Sequence, residues 1–206
     1  MEKLNYFFGI IGKPETYLSI VYLILAFPLG IFYFIFLLTG LCIGLGLIII
    51  WIGIPILLLV LFAWWGLGMF ERLLAIGLLR VKIPPMTKKE TDKKNVWERF
   101  KNHLGNPVTW KSLAFLFIKF PIGIISFVVT ITLLSISIAF ISAPFTYKYI
   151  EIDFWFFTID SLALAIIISF LGIIIGFLSL HVFYFMGKIL GKFAVVMLGY
   201  DRYEKE

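Results

Sequence analysis

The sequence predicts an all-α membrane protein in which four transmembrane helices form two parallel-repeat helical hairpins with interfacial amphipathic helices. Apolar residues make up 62% of the 206 positions and charged residues only 15%, with a mean hydropathy of +1.05. Soluble domains are usually about 45–50% apolar and about 25% charged. Two apolar blocks, 17–79 and 113–199, are each too long for one span of about 20 residues. The second block also repeats the first, which predicts one hairpin per block.

The first block predicts a span over 28–50, a break at Gly53-Ile54-Pro55, and a returning span over 55–76. The second predicts a span over 121–143 and a returning span over 161–184. The break between these two is wider and more polar, so we expect the only sizeable outer loop there.

The internal repeat is the strongest pattern in the chain. At an offset of 93 residues, 12 of the 30 positions in 12–41 are identical, including proline, glycine, threonine and serine. An apolar composition alone does not explain identities at proline, glycine, threonine and serine, so the repeat is interpreted as real. The returning spans align less well at an offset near 120, which implies an insertion of about 27 residues in the second copy. We assign a single transmembrane domain to 1–206, with repeat copies 12–83 and 105–200.

Each copy opens with a short segment before a Phe-Pro-x-Gly motif. Segments 15–27 and 108–120 are expected at the membrane interface, because a single helix over 15–50 would be about 54 Å long at 1.5 Å per residue. The alternative is one long helix that kinks at Pro28 or Pro121.

Charge placement predicts the topology. Between Arg80 and Lys111 there are nine lysines and arginines against three acids, centred on a basic linker, 84–104. Such a segment between apolar blocks is typical of a cytoplasmic loop. We therefore predict a multi-pass protein of the cell membrane with both termini in the cytoplasm, and no nucleic-acid partner.

No motif for catalysis, metal binding or cofactor binding is present, so the sequence predicts neither an enzyme nor a cofactor. Candidate intramembrane polar residues remain. His181 either bonds a neighbouring helix or contacts a ligand, and the hydroxyls of the third span, with Thr130 and Ser135 as candidates, either pack helices or line a polar path.

Three further sets of residues are candidates for packing, signal exit and stimulus. Small residues at four-residue spacing favour close helix packing, within the chain or in a homodimer: Gly40, Gly44, Gly172 and Gly176. Charges at the predicted cytoplasmic ends of the returning spans mark a possible signal exit: Glu71, Arg72, Lys188 and Lys192. The aromatic and acidic outer loop is either an interfacial belt or a stimulus or partner surface: Tyr147, Tyr149, Glu151, Asp153 and Trp155.

Taken together, the motifs resemble a prokaryotic sensor-domain family. Pro-x-Thr-Tyr/Trp, Phe27-Pro28-Leu-Gly30 with its copy at Phe120-Pro121, and Glu71-Arg72 carry the resemblance, which covers essentially the whole chain. The resemblance implies a four-helix membrane domain that often precedes a two-component histidine kinase. No kinase segment follows here, so the output is expected to pass through a separate protein.

The leading hypothesis is a non-enzymatic membrane sensor that responds to an envelope or membrane stimulus. Its expected partners are the lipid bilayer and a membrane or cytoplasmic protein, namely a kinase, a regulator or a transporter subunit. The alternative hypothesis is an accessory subunit that stabilises or gates a transporter.

Overall fold

The computed structural model describes residues 9–10, 12–85, 105, 107–148, 161–199, and the backbone of 153–154 and 157–158. It contains four long helices, α1 (Pro14–Gly46), α2 (Gly53–Leu79), α3 (Pro107–Thr146) and α4 (Leu162–Leu198). All four are long and apolar enough to cross a membrane.

The segments before the Phe-Pro-x-Gly motifs are parts of long helices. Residues 15–27 continue into α1 through Pro28, and 108–120 continue into α3 through Pro121. Separate interfacial helices were the wrong expectation at these places, and the long-helix alternative holds. Membrane helices tolerate an internal proline because neighbouring groups satisfy the freed carbonyl. At 1.5 Å per residue α3 is about 60 Å long, roughly twice the thickness of a bilayer core.

The first hairpin turns earlier than the sequence predicts. A 3₁₀ helix, Leu47–Ile50, follows α1, and Trp51 then takes the left-handed conformation with φ 61°. Gly53 begins α2, so Gly53-Ile54-Pro55 starts the returning helix and does not break one. Proline fits there because the first turn of a helix needs no amide donor.

The returning helices run further than predicted. α2 reaches Leu79 and α4 reaches Leu198, and their last turns bury Ala75, Ala194 and Leu198 in the main core. These ends are therefore continuous with the returning helices and belong to the core. Between α3 and α4, two antiparallel strands of two residues each pair, Asp153–Phe154 with Phe157–Thr158.

Burial recurs at matched positions of the two hairpins. Each of the nine buried residues of α1 has a buried counterpart in α3 at the offset of 93. Each of the six buried residues of α2 has a buried counterpart in α4 at an offset of 119. The difference, 119 − 93 = 26, is one residue smaller than the sequence alignment suggested. In this register Glu71 corresponds to Leu190, and Lys119 corresponds to Ala26.

The hairpins meet where α1 crosses α3. A Cβ at Gly30 would lie 2.9 Å from the carbonyl oxygen of Lys119, and one at Gly123 would lie 2.9 Å from the carbonyl carbon of Ala26. Glycine is needed at both positions because the other backbone occupies the space of a side chain.

Phenylalanine rings flank this crossing in two equivalent stacks. Phe27 stacks on Phe127 and Phe34 stacks on Phe120, both with ring centroids 4.7 Å apart. Residue numbers rise along α1 as they fall along α3 in these pairs, so the helices cross and do not lie parallel in register. The orientation of the bundle in a membrane, with both termini in the cytoplasm, stays a prediction.

Candidate functional site: a buried ion pair between the hairpins

A charged pair lies inside the helix bundle. The ammonium Nζ of Lys119 in α3 lies 2.5 Å from Oε2 of Glu71 in α2. The two side chains are 3% and 0% exposed, which makes them a fully enclosed ion pair. The pair joins the two hairpins, since α2 belongs to the first and α3 to the second.

Two tyrosines of α1 complete the cluster. Tyr33 donates its hydroxyl to Oε1 of Glu71 at 2.9 Å, and Tyr22 donates to Oε2 at a longer 3.5 Å. Lys119 donates to the Tyr22 hydroxyl at 2.9 Å, and its ammonium lies 4.3 Å from the centroid of the Tyr22 ring. We call Tyr22, Tyr33, Glu71 and Lys119 the polar cluster. It connects α1, α2 and α3 at one point.

The cluster contradicts two expectations from the sequence. Glu71 was expected at the cytoplasmic end of a returning span, and Lys119 at the membrane interface. Both lie in the bundle interior, where charged groups need a partner because removing them from water costs several kcal/mol per ion.

Only one of the two matched places carries the charges. In the second copy Leu190 occupies the position of Glu71, and in the first copy Ala26 occupies the position of Lys119. Both counterparts are buried. The repeat therefore provides two similar helix crossings, and the polar cluster makes one of them different from the other.

A second polar contact lies on the same side of the bundle. Trp64 of α2 donates its indole Nε1 to the Ser112 hydroxyl of α3 at 3.0 Å, and Ser112 donates to the carbonyl of Thr109. Trp64 also packs edge-on against Trp110. The α2–α3 contact thus combines one ion pair with one tryptophan hydrogen bond.

Arg72 has a local structural role. Its guanidinium donates to the carbonyls of Ile83 and Pro84, at 2.8 and 3.0 Å. These bonds hold the segment after α2, which Arg80 begins in the left-handed conformation. Glu71 is buried in the bundle and Arg72 holds the chain after α2, and a signal exit at these two residues stays a prediction.

The remaining predicted exit residues lie on the surface of α4. Lys188 and Lys192 are exposed, and the Lys188 ammonium lies 4.5 Å from the centroid of the Tyr184 ring. Both lysines lie outside the polar cluster. An exit at these two lysines stays a prediction.

The candidate intramembrane polar residues are dispersed. His181 is part-buried and places Nδ1 3.0 Å from the carbonyl of Phe177, one turn earlier in α4. Thr130 is buried, and within the described part of the chain its hydroxyl has no hydrogen-bond partner. Ser135 is exposed, so it does not line an internal path. Ser137 instead bridges the second hairpin by donating to the carbonyl of Gly172 at 3.1 Å.

The small-residue pairs pack inside each hairpin. Gly40 and Gly44 of α1 face Val60 and Leu57 of α2, and Gly172 and Gly176 of α4 face Phe140 and Ser137 of α3. Close approach of two helices needs small residues at such positions. These glycines therefore occupy contacts within the chain.

The outer-loop candidates are only partly within the described residues. Tyr147 packs against the small cluster of Ala143, Ala165 and Ile168 at the ends of α3 and α4. Asp153 begins the first short strand. Tyr149, Glu151 and Trp155 lie outside the described residues. A stimulus or partner surface at this loop stays a prediction.

Sequence reasoning missed the pairing of Glu71 with Lys119, although a signal for it exists. Residues 16–70 contain no charged residue, and 112–147 contain only Lys119. An isolated charge in a transmembrane segment almost always faces the interior and pairs with another.

Among the described residues no group of three or more His, Cys, Asp or Glu could hold a metal ion.

Comparison with known proteins agrees with these features. The model of one protein family, described as "Putative sensor", matches residues 22–198. No curated protein and no solved structure matches the chain. The matched range includes the crossing of α1 and α3 and the whole polar cluster. This multi-pass membrane protein belongs to the sensor family.

Proposed function

We propose that the chain is a non-enzymatic membrane signalling module that responds to an envelope or membrane stimulus and acts through a separate partner protein. The observation that carries this proposal is the polar cluster, which fastens the two hairpins to each other at one side of their crossing. A stimulus acts on such a protein by changing how the hairpins pack.

The cluster suits a two-state packing because its energy depends steeply on geometry. A buried ion pair is favourable only while its charges and hydrogen bonds stay matched, since each charge alone in the interior carries a desolvation penalty. Small displacements of α2 against α3 therefore change the balance between two packings. A stimulus shifts that balance only as far as it favours one packing over the other.

The signal to the partner protein is passed on by movement of the hairpins and not by a catalysed reaction. Glu71 has its oxygens bonded to Lys119 and two tyrosines, and these groups are enclosed by helices. The partner is expected to be a kinase, a regulator or a transporter subunit that contacts the surface of the bundle.

A neutral version of the cluster tests the proposal. In the double variant Glu71→Gln, Lys119→Met the hairpins lose the ion pair but keep side chains of similar size. The matched control neutralises the exposed pair Glu15 and Arg80, whose charged atoms are 3.9 Å apart and whose side chains are 44% and 52% exposed.

The tagged full chain is purified in mild detergent from native cells, and co-purifying proteins are identified. The transcriptional response of the cells to envelope perturbation is measured in parallel. We expect a signalling protein to co-purify, and the response to change in the cluster variant but not in the control, at equal membrane abundance. Co-purification of a transporter with altered flux would favour the accessory-subunit alternative, and an unaltered response with normal abundance would refute the sensor role of the cluster.

A further inference from the structure

Two lysines from different hairpins meet at one tyrosine ring on the surface of the bundle. Lys13, just before α1, places its ammonium 5.6 Å from the centroid of the Tyr184 ring in α4. Lys188, one turn after Tyr184 in the same helix, places its ammonium 4.5 Å from the same centroid. The negative face of an aromatic ring attracts cations. The ring therefore holds one positive charge from each hairpin in the same small area.

Further cations lie on the same surface. Lys192 is exposed one turn further along α4. Val81, in the chain after α2, packs on α4 at Gly191, where a Cβ would lie 2.8 Å from the valine side chain. Its neighbours Arg80 and Lys82 are exposed, so this contact sets their charges beside α4. We give the name basic patch to five residues: Lys13, Arg80, Lys82, Lys188 and Lys192.

The basic patch has a positive balance among the described side chains. Glu15 is the carboxylate that lies in it, 3.9 Å from a guanidinium nitrogen of Arg80. The other carboxylate among the described side chains, Glu71, is fully buried in the polar cluster. Within the described part of the chain the patch therefore carries five cations against one anion, and its field attracts a negatively charged ligand.

The basic patch borders an apolar helix face. The part of α4 before Lys188 is about 39 Å long at 1.5 Å per residue, which exceeds the roughly 30 Å of a hydrocarbon core. Phe185 and Ile189 flank Lys188 on the helix surface, with side chains 63% and 50% exposed. A cation at the end of a membrane-spanning segment lies among the lipid headgroups. The patch thus offers positive charge and apolar surface side by side.

This combination selects a ligand that carries both a phosphate and hydrocarbon chains. A phosphate accepts charge-assisted hydrogen bonds from more than one ammonium, and the flexible stems of two lysines let both reach it. An inorganic phosphate would use the lysines alone. A phospholipid would also cover Phe185 and Ile189, and so gain from the apolar surface as well.

We propose that the basic patch binds the headgroup of an anionic phospholipid, with the phosphate between Lys13 and Lys188 and the acyl chains against Phe185 and Ile189. The lysines belong to different hairpins, so the bound headgroup links α1 to α4. The inference goes beyond the proposed function and does not depend on which partner protein receives the signal.

Binding is measured by native mass spectrometry of the full chain in detergent, with added phosphatidylglycerol or phosphatidylcholine of the same acyl chains. The choline group cancels the charge of the phosphate, so the comparison isolates the net charge of the headgroup. We expect the anionic lipid to bind about tenfold to thirtyfold more tightly, the range for two basic residues near a membrane surface. Glycerol phosphate, which has no acyl chains, should bind much more weakly than either lipid.

Paired variants locate the site. Lys13→Gln, Lys188→Gln should remove most of the preference for the anionic lipid, and Lys13→Arg, Lys188→Arg should retain it. The matched control, Lys111→Gln, Lys148→Gln, removes the same charge at the two ends of α3 and should leave the preference unchanged.

Three results would overturn the proposal. Equal binding of the two lipids would show that the patch does not select an anionic headgroup. An equal effect of the glutamine pair and its control would show a diffuse attraction with no site between the lysines. Glycerol phosphate that binds as tightly as the anionic lipid would assign the patch to a soluble phosphate compound.

Discussion

Removing one member of the buried ion pair should destabilise the protein far more than removing both. In Lys119→Met the Glu71 carboxylate, which is fully buried, keeps only its two tyrosine hydroxyls. In Glu71→Gln the Lys119 ammonium loses its counter-charge. A lone buried charge of this kind costs about 3–5 kcal/mol, so each single variant should lose that much free energy of unfolding.

The double variant Glu71→Gln, Lys119→Met removes both charges and retains the volume of both side chains. Replacing a buried ion pair by neutral groups is often neutral or stabilising, and the amide of glutamine can still accept from the Tyr33 hydroxyl. The double variant should therefore be more stable than either single variant. Packing alone would give the reverse order, because two changes would then cost more than one.

The free energy of unfolding is measured by titrating SDS into mixed micelles and following helix content. The exposed pair Glu15 and Arg80 is the matched control, and neutralising it should change stability by about 0–1 kcal/mol. If the loss in the double variant equals the sum of the two single losses, Glu71 and Lys119 are not coupled and the cluster does not fasten the hairpins.

Three further predictions follow from other parts of the molecule. Gly30→Ala should destabilise the crossing of α1 and α3 strongly, because the new Cβ would meet the α3 backbone at 2.9 Å. Gly66→Ala is the matched control and should be neutral or stabilising, because no atom lies within 4 Å of the new Cβ. Unfolding titrations compare the two variants directly, and equal effects would contradict the crossing. Trp64→Phe should cost about 0.5–1.5 kcal/mol for the hydrogen bond to Ser112, plus lost packing, and the effect should shrink in a Ser112→Ala background if the bond is real. In intact cells without the native cysteine, a cysteine replacing Lys148 should react with an impermeant reagent and one in the basic linker should not, and the reverse pattern would overturn the predicted topology.

The sequence predicts the number of helices and the membrane class well, because composition and span length decide both. The internal repeat stays a prediction, which depends on matched proline and glycine residues because these carry more information than apolar ones. The helix boundaries are harder to predict. Trp51 lies in the turn of the first hairpin with a left-handed backbone that its residue type does not favour. The glycine and proline after it, which suggested a break, start a helix.

The full membership of the polar cluster is hard to predict from the sequence because its residues come from three helices. Glu71 and Lys119 are 48 residues apart, and the tyrosines of α1 give no sign of a charged partner. The position of Lys119 near a proline motif suggested an interface, which is where an isolated lysine is least costly. Only the crossing of α1 with α3 brings the lysine over α2.

The matched positions of the other hairpin carry apolar residues in place of the ion pair. Ala26 and Leu190 fill the matched positions in the other copy, and both are buried in the same kind of helix contact. An apolar pair would therefore also close the contact between α2 and α3, with no charge to desolvate. Because a buried ion pair gives little or no net stability over apolar residues, the charges at this one contact favour a role in how the hairpins move. An ion pair is favourable only over a narrow range of distances and angles between its charged groups. The apolar contact at the other side of the crossing allows the helices to shift against each other. Movement between the hairpins should therefore be resisted at the polar cluster and accommodated beside Ala26 and Leu190.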